Sequence, residues 1–275
     1  MIRNSFVFLD KVSANKEKRW WQEGITDWNT FLEAKEVPGI SQLRKGYYDR
    51  QLDEARQHLA DYNSHYFADK LPRSEAWRLY DHFRDDCLFL DIETTGYYGD
   101  ITVVGMYDGR EVMTLVKNQS LNKDNLKKIL SNYKLLVTFN GLSFDVPTIN
   151  RCFNTIVPNI PHLDLRFPLR RLGYTGGLKL IEERLNVKRS EATQGLSGLD
   201  AVRLWNDYIR KGDQDALNLL VEYNTEDIIN LKPLAEFVFN GMKKEMVQQF
   251  GRRQRGSTAY LASPSTVLQG EEGHR

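Results

Sequence analysis

The segment from Cys87 to Gly96, Cys-Leu-Phe-Leu-Asp-Ile-Glu-Thr-Thr-Gly, constrains the fold of this chain more than any other. Its four consecutive apolar residues predict a central strand buried on both faces, and the run ends at two carboxylates, Asp91 and Glu93. Alternate side chains of a strand project from the same face, so both acids point the same way. An uncompensated charge is costly in apolar surroundings, and hard ions such as Mg²⁺ bind carboxylate oxygens, so we expect a divalent cation here. Taken alone, an exposed strand end before a Thr-Thr-Gly turn is the simpler interpretation.

The composition is that of a globular protein. With 275 residues, 41% of them hydrophobic, the chain can bury a core in one large domain with an appendage or in two small domains. No apolar run reaches the ~18 residues of a membrane span, and the amino-terminal residues lack the apolar region and cleavage site of a signal peptide. These features predict a cytoplasmic protein with no membrane partner.

Cysteine and histidine form no zinc-binding pattern. The two cysteines, Cys87 and Cys152, lie far apart, and the five histidines show no paired ligand spacing, so we expect neither a disulfide framework nor a zinc site. The net charge is +1, and acidic residues slightly outnumber basic ones between residues 81 and 240. That distribution suits a carboxylate-rich site better than a protein that grips nucleic acid by bulk charge.

Residues 1–84 are predicted to form a small helical region packed on the main domain. One helix is expected after an N-cap at Thr26, and apolar residues three and four positions apart between Tyr47 and Tyr62 form the stripe of another. Aromatic residues of this region are possible stacking platforms for bases, but tryptophans at helical spacing are more often core residues.

Residues 85–240 are predicted to form an α/β domain with a mixed sheet. Apolar runs bounded by turn residues predict five strands. The first begins at Cys87, and the others cover residues 101–107, 111–116, 135–139 and 162–165. Asp108-Gly109 predicts a hairpin, and Ser120 is expected to cap the helix before the fourth strand. The chain turns helical from residue 177, and Pro233 is expected to kink or restart the last helix. The basic, polar tail, residues 241–275, is predicted to be mobile.

Two further acidic positions follow the first pair. Asp145 comes after a glycine-containing turn at a predicted helix start, where an aspartate by itself is commonly a capping residue. Tyr223 and Asp227 lie four residues apart on a predicted helix and therefore share a face. A surface Tyr-Asp pair is the simplest interpretation, but the apolar neighbours Ile228 and Leu231 turn Asp227 inward, where a carboxylate needs a partner.

These motifs together resemble the tyrosine-containing (DEDDy) branch of the DEDD 3′-5′ exonuclease superfamily. They run Asp-x-Glu on a first strand, Asp after Asn-x-x-x-Phe, then Tyr-x-x-x-Asp on a late helix. Residues 85–240 resemble the YprB-like group of RNase-H-like proteins more closely. Residues 140–147 are similar to the corresponding stretch in the proofreading domains of family B DNA polymerases. The resemblance implies an RNase-H-like mixed β-sheet flanked by helices. It also implies a metal-dependent 3′-5′ exonuclease that acts on single-stranded DNA or RNA 3′ ends with two Mg²⁺ or Mn²⁺ ions.

In such an enzyme the acidic residues and the tyrosine have separate roles. Asp91 is expected to bridge both ions, Glu93 and Asp227 to complete the shell of one, and Asp145 to hold the other. Tyr223 is expected to orient a metal-activated water, because a phenol with a reference pKa of ~10 is a poor base at neutral pH.

Residues that contact the substrate are expected beside these acids. The resemblance implies Thr94, Thr95, Asn140 and Phe144. A nearby basic stretch is a candidate phosphate contact, with a solvated basic surface as an equal alternative, and it consists of Arg166, Arg170, Arg171 and Lys179. Two other functions stay open: a non-catalytic nucleic-acid-binding module with this fold, and an RNase-H-like structure-specific endonuclease.

Overall fold

The first 84 residues are helical, as predicted, in the computed structural model that describes residues 1–250 of this chain. The α-helices of this region are α1 (Ala14–Gln22), α2 (Trp28–Glu33), α3 (Gln42–Ala60), α4 (His65–Lys70) and α5 (Tyr80–Phe83). Short 3₁₀ helices cover Ile2–Asn4, Arg73–Leu79 and Arg84–Asp86. The four tryptophans of the region are buried, so they belong to its core, as their helical spacing indicates.

The amino-terminal cap of α2 differs from the prediction by one residue. Asp27, not Thr26, is the N-cap, and its side chain accepts a hydrogen bond from the backbone N–H of Thr30 at 2.9 Å. The Thr30 hydroxyl in turn accepts from the Asp27 N–H at 3.1 Å, which completes a capping box. Thr26 is excluded because the reciprocal pair requires a spacing of three residues.

The middle of the chain forms a five-stranded sheet. Its elements are β1 (Cys87–Thr94), β2 (Ile101–Tyr107), β3 (Val112–Val116), α6 (Lys123–Leu130), β4 (Leu135–Thr138), α7 (Asp145–Phe153) and β5 (His162–Asp164). The strand order is β3-β2-β1-β4-β5. The first three strands are antiparallel, whereas β4 is parallel to both β1 and β5. The predicted mixed sheet is therefore confirmed.

Two local predictions in this part have different outcomes. The hairpin at Asp108-Gly109 is confirmed, because β2 and β3 pair on either side of it. Ser120 does not cap α6: Asn122 does, by accepting from the N–H of Asn125 at 2.9 Å. The Ser120 hydroxyl instead accepts from the N–H of Val116 at the end of β3.

Up to residue 250, four helices follow the sheet: α8 (Arg166–Arg171), α9 (Leu178–Arg184), α10 (Gly198–Lys211) and α11 (Gln214–Val247). Pro233 was expected to kink or restart the last helix; a restart is wrong, since the 34-residue α11 continues through Pro233, and a kink stays a prediction. A proline removes one helical hydrogen bond, and the buried side chains of Leu231 and Leu234 hold both halves of the helix on the core. The RNase-H-like α/β fold, a mixed sheet flanked by helices, is confirmed.

The two faces of the sheet pack against different helices. Cys87 and Phe89 of β1 share one apolar cluster with the helical region 1–84 and with α11. Leu88 and Leu90 point the other way and share a second cluster with residues of α6 and α7. Asp91 and Glu93 continue the first series by alternation, so they lie on the face that α11 covers.

The domain boundaries drawn from the sequence stay a prediction. One apolar cluster joins residues of the region 1–84 to the sheet, and α11 extends past residue 240 to Val247. Residues 251–275 of the predicted tail lie outside the described residues. Within residues 1–250, no helix combines the length and the apolar character that a membrane span requires.

Candidate active site

Three carboxylates meet between the end of β1 and helix α11. The strand carries Asp91 and Glu93 on one face, and the helix brings Asp227 against them. One oxygen from each side chain lies within 4.8 Å of the other two. Glu93 and Asp227 are only 9% and 6% exposed. The predicted inward orientation of Asp227 is thus what the structure shows.

Asp145 lies beside this group of three. It is the first residue of α7, is 2% exposed, and accepts a hydrogen bond from the backbone N–H of Ile92 at 3.2 Å. That bond ties the start of α7 to the strand between the two other acids. The N-cap position of α7 is Phe144, so Asp145 is not the N-cap that the simple interpretation makes it.

The pKa values of all four carboxyl groups are raised. Burial is the main cause and raises the pKa of Glu93 to about 8, that of Asp145 to about 7 and that of Asp227 to about 6. Burial also raises the pKa of Asp91 well above its ordinary value, and the charges of the other three acids add to the rise. Bound cations would remove this penalty.

The donor set fits a hard divalent cation. All of the ligand atoms that Asp91, Glu93 and Asp227 offer are carboxylate oxygens, and they converge from two elements. Mg²⁺ and Mn²⁺ prefer oxygen ligands of this kind. Asp145 adds a fourth carboxylate close enough for its charge to act on Asp91.

Arg189 is a cation of this site that sequence reasoning missed. Its guanidinium donates to both oxygens of Glu182, at 2.6 and 2.9 Å, and also to Oδ1 of Asp227. Asn230 of α11 donates to the same Glu182 carboxylate at 3.1 Å. Arg189 therefore limits the rise in the pKa of Asp227 and ties that acid to α9. Its position in the loop after α9 carries no local signal of this role.

Tyr223 lies on the same face of α11 as Asp227 and is hydrogen-bonded to a lysine. Lys179 Nζ donates to the phenol oxygen at 2.8 Å and lies 4.1 Å from the centre of the ring. Burial and the charge of Asp227 raise the pKa of Tyr223 well above its ordinary value, so the phenol stays neutral at neutral pH. The phenol oxygen accepts the hydrogen bond from the lysine, so its own O–H can donate to a third group. Lys179, one of the candidate phosphate contacts, thus lies beside Tyr223.

Asn224 also contacts the acidic group and was not among the predicted site residues. It is fully buried, and its Nδ2 donates to Oδ2 of Asp91 at 2.8 Å. The Tyr-Asn-x-x-Asp stretch contains it, and its spacing of three residues from Asp227 is the helical signal that could have identified it.

Two predicted substrate residues, Thr94 at the end of β1 and Thr95 at the start of the loop that follows, shape that loop. The Thr94 hydroxyl donates to the carbonyl of Gly96 at 2.8 Å, and the Thr95 hydroxyl accepts from the N–H of Asp100 at 3.0 Å. The same loop exposes two aromatic side chains, Tyr97 and Tyr98, at 73% and 84%. The loop therefore presents two tyrosine side chains to solvent, while the hydroxyls of both threonines form hydrogen bonds within the loop.

Phe144 extends this aromatic surface. Its ring stacks on Tyr97 with 6.2 Å between the centroids and 29° between the planes. Phe144 directly precedes Asp145, so the stacked pair lies beside the acids. Such a pair has faces on which a nucleic acid base can stack.

Most of the other residues predicted to contact substrate line an open cleft of about 690 Å³. Asn140, Arg166 and Arg170 line it, and Arg166 donates to Oδ1 of Asn140 at 2.5 Å. Arg171 points elsewhere and forms an ion pair with Glu75 of the helical region at 3.1 Å. Of the three arginines in the predicted phosphate-contact stretch, Arg166 and Arg170 thus face the cleft and Arg171 does not.

The comparison with protein families agrees with this fold. A family description of the RNase H superfamily matches residues 88–239. No curated protein matches the chain. Among solved structures, a family B DNA polymerase from the hyperthermophilic archaeon Pyrobaculum calidifontis is similar at 15% identity and a TM-score of 0.45. That match covers 55% of this chain and 24% of the polymerase, so this chain spans about a quarter of the polymerase's length.

Two smaller proteins are similar over most of their length. NrnC from Brucella melitensis is 20% identical, with a TM-score of 0.44, over 67% of this chain and 94% of NrnC. A nuclease in its apo form is 18% identical, with a TM-score of 0.44, over 70% of this chain and 95% of that protein. The family match covers more than half of the chain and all five strands but for the first residue of β1, and it shows that this protein belongs to the RNase H superfamily.

Proposed function

We propose that this protein is a metal-dependent 3′-5′ exonuclease of the DEDDy, YprB-like type that hydrolyses phosphodiester bonds at single-stranded nucleic acid ends. The convergence of the Asp91, Glu93 and Asp227 oxygens within 4.8 Å carries the proposal. A buried group of carboxylates with raised pKa values has no evident structural use, since apolar residues would pack the same space at less cost. A catalytic cation site gives the cluster a purpose.

The proposed site holds two divalent cations, Mg²⁺ or Mn²⁺. Asp91, Glu93 and Asp227 would hold one of them, and Asp91 with Asp145 the other. When bound, such ions lower the pKa of a water and stabilise charge on the leaving 3′ oxygen.

The chain's own residues would orient the reactants. Tyr223, kept neutral by burial, is a hydrogen-bond donor for the attacking water, and Lys179 holds its ring in place. Arg189 keeps Asp227 ionised and fixed in one orientation. Positioned donors of this kind act without reorganisation during the reaction.

A single strand has a path to these acids. The exposed ring of Tyr97, stacked on Phe144, would support a base near the terminal nucleotide. The cleft lined by Arg166 and Arg170 would take phosphates further along the strand. Stacking and phosphate contacts are largely independent of base sequence, so we propose a substrate of low sequence specificity, either DNA or RNA.

Degradation of 5′-labelled single-stranded DNA and RNA tests the proposal. In Mn²⁺ or Mg²⁺ we expect progressive shortening from the 3′ end with release of 5′ mononucleotides, and no reaction with a chelator present. Asp91→Ala should lower the rate at least ~10³-fold, because the acid proposed to contact both cations is removed. Asp207→Ala, on the surface of α10, is the matched control and should leave the rate unchanged.

Circular single strands separate the other functions. An exonuclease leaves them intact, whereas cleavage of circles would favour an endonuclease. Equal rates in wild type and Asp91→Ala would contradict the proposal, and nucleic acid binding without any hydrolysis would favour a non-catalytic binding module.

A further inference from the structure

Asp91 is held by a residue from the helix that crosses the sheet above it. In the sheet, Asp91 of β1 pairs with Gly105 of β2. Helix α11 crosses this pair and places Asn224 over it, with Nδ2 of the amide 2.8 Å from Oδ2 of Asp91. Asn224 is 0% exposed, so its amide is out of contact with solvent and Asp91 is the hydrogen-bond partner that its Nδ2 has.

Gly105 is the residue that admits this amide. A Cβ atom at position 105 would lie 2.0 Å from Oδ1 of Asn224, 2.9 Å from its Cγ and 3.3 Å from its Nδ2. No positive φ requires a glycine at this position. The glycine is therefore explained by the space that Asn224 occupies and not by the backbone conformation.

The orientation of the amide follows from its surroundings. Oδ1 of Asn224 has no hydrogen-bond partner among the described residues, and it points at the Cα of Gly105. A Cα–H···O contact of about 3.5 Å or less is the interaction left to it. When Asp91 is ionised, as it must be to bind a cation, the opposite orientation would place an amide oxygen against a carboxylate oxygen, two acceptors without a proton between them. Nδ2 must therefore face Asp91.

We propose that Asn224 is a positioning residue for Asp91 and that the absence of a Cβ at Gly105 gives its amide access to this position. The amide holds Oδ2 of Asp91 and so fixes the direction in which Oδ1 is presented to a cation. Partners of this kind, which touch a ligand side chain and not the metal, typically change metal affinity or activity 10- to 100-fold, roughly, when removed. The inference rests on the proposed metal site.

Calorimetric Mn²⁺ binding to the full-length protein measures the effect directly. Asn224→Leu keeps the approximate volume of the side chain and removes the donor, and we expect Mn²⁺ affinity to fall about 10- to 100-fold. Asn218→Ala, an exposed residue on the same helix, is the control and should bind Mn²⁺ as wild type does. Melting temperatures of each variant show that it is folded, and Asn224→Ala replaces Asn224→Leu if the leucine is not accommodated.

A double-mutant cycle tests the role of Gly105. Gly105→Ala should weaken Mn²⁺ binding about as much as Asn224→Ala, because the new methyl group displaces the amide. In Asn224→Ala the atoms nearest to that methyl group are gone, so adding Gly105→Ala should change Mn²⁺ affinity less than twofold. A further loss of the same size in the double variant would show that Gly105 acts independently of Asn224 and would overturn that part of the proposal.

The wild-type measurement separates this inference from the proposed function. If wild type binds Mn²⁺ and Asn224→Leu and Asn224→Ala both bind it equally well, the positioning role is wrong while the metal site stands. If wild type binds no Mn²⁺, the proposed function and this inference fall together.

Discussion

Asp91 depends on residues from several elements at once. It shares a face of β1 with Glu93, meets Asp227 and Asn224 from α11, and feels the charge of Asp145 from α7. The opposite charge near these acids comes from Arg189 and Lys179, and burial opposes every added negative charge. Each acid in the cluster is therefore costly to ionise unless cations are bound.

The metal-free protein should lose stability as the pH rises. The pKa values of Glu93, Asp145 and Asp227 in the folded state, about 8, 7 and 6, lie above their unfolded values of 4.5, 3.8 and 3.8. The folded state thus binds more protons than the unfolded state. The stability that this proton binding contributes is fully present below about pH 4 and is lost as the pH rises through 6 to 8. We expect the free energy of unfolding, measured by urea titration with a chelator, to fall by up to ~1.4 kcal/mol per pH unit per proton.

Mn²⁺ and a charge-removing variant provide the controls for that titration. Saturating Mn²⁺ should abolish most of the decline, because the ionised carboxylates are then paired. Glu93→Gln should flatten the slope, mainly between pH 5 and 8, since it removes one titrating group. Stability that is constant across this range in all three samples would contradict the raised pKa values.

At the scale of elements, helix α9 and the loop behind it connect the acidic group to the rest of the fold. Glu182 of α9 is 1% exposed, and its carboxylate accepts hydrogen bonds from Arg189 and Asn230. Arg189 also donates a hydrogen bond to Asp227, so α9, the loop after it and α11 meet in one buried polar network. A network of this kind is stable only when its partners remain paired.

Replacing Arg189 by methionine should destabilise the protein without metal by about 3–5 kcal/mol, because Glu182 and Asp227 lose the cation between them. Urea denaturation with a chelator present measures this change. Mn²⁺ should restore more stability to Arg189→Met than it adds to wild type, since the metal replaces the lost charge beside Asp227.

Arg203→Met is the matched control for that variant. Arg203 pairs with Asp200 at 3.1 Å, but its side chain is 76% exposed, so its loss should cost less than ~1 kcal/mol. If Arg189→Met were no more destabilising than Arg203→Met, the buried network would not have the role assigned to it.

Over the whole molecule, the helical region and the sheet share their core. Apolar residues from 1–84 form one cluster with Phe89 of β1 and with residues of α11. Polar contacts cross the same junction, where Tyr80 donates to Glu236 at 3.1 Å and Arg171 pairs with Glu75. The face of the sheet that carries the acids is thereby held from the side of the helical region as well.

We expect residues 1–240 to unfold in one cooperative transition because of this shared core. Four of the five tryptophans lie in the helical region, so in a Trp205→Phe variant their fluorescence reports on that region alone. Far-UV circular dichroism, in which the 34-residue α11 has a large part, should change at the same urea concentration. Two separate midpoints would instead indicate two independent domains.

Local pattern was sufficient for most of the elements of this fold. Apolar runs and turn residues predicted the strands, and the alternation of side chains placed Asp91 and Glu93 on one face. Capping residues were less predictable: Asn122 and Asp27 cap helices assigned to Ser120 and Thr26, because neighbouring polar residues compete for the same backbone groups.

The sequence by itself determined the acidic residues and the elements that carry them, because strand and helix periodicity depend on neighbours along the chain. Only the tertiary structure decided which groups surround the acids. Arg189 reaches Asp227 from 38 positions away, and Asn224 reaches Asp91 from 133. The space for Asn224 depends on a missing Cβ at Gly105, on another strand. Charge pairing and close packing act through space, so no local pattern contains them.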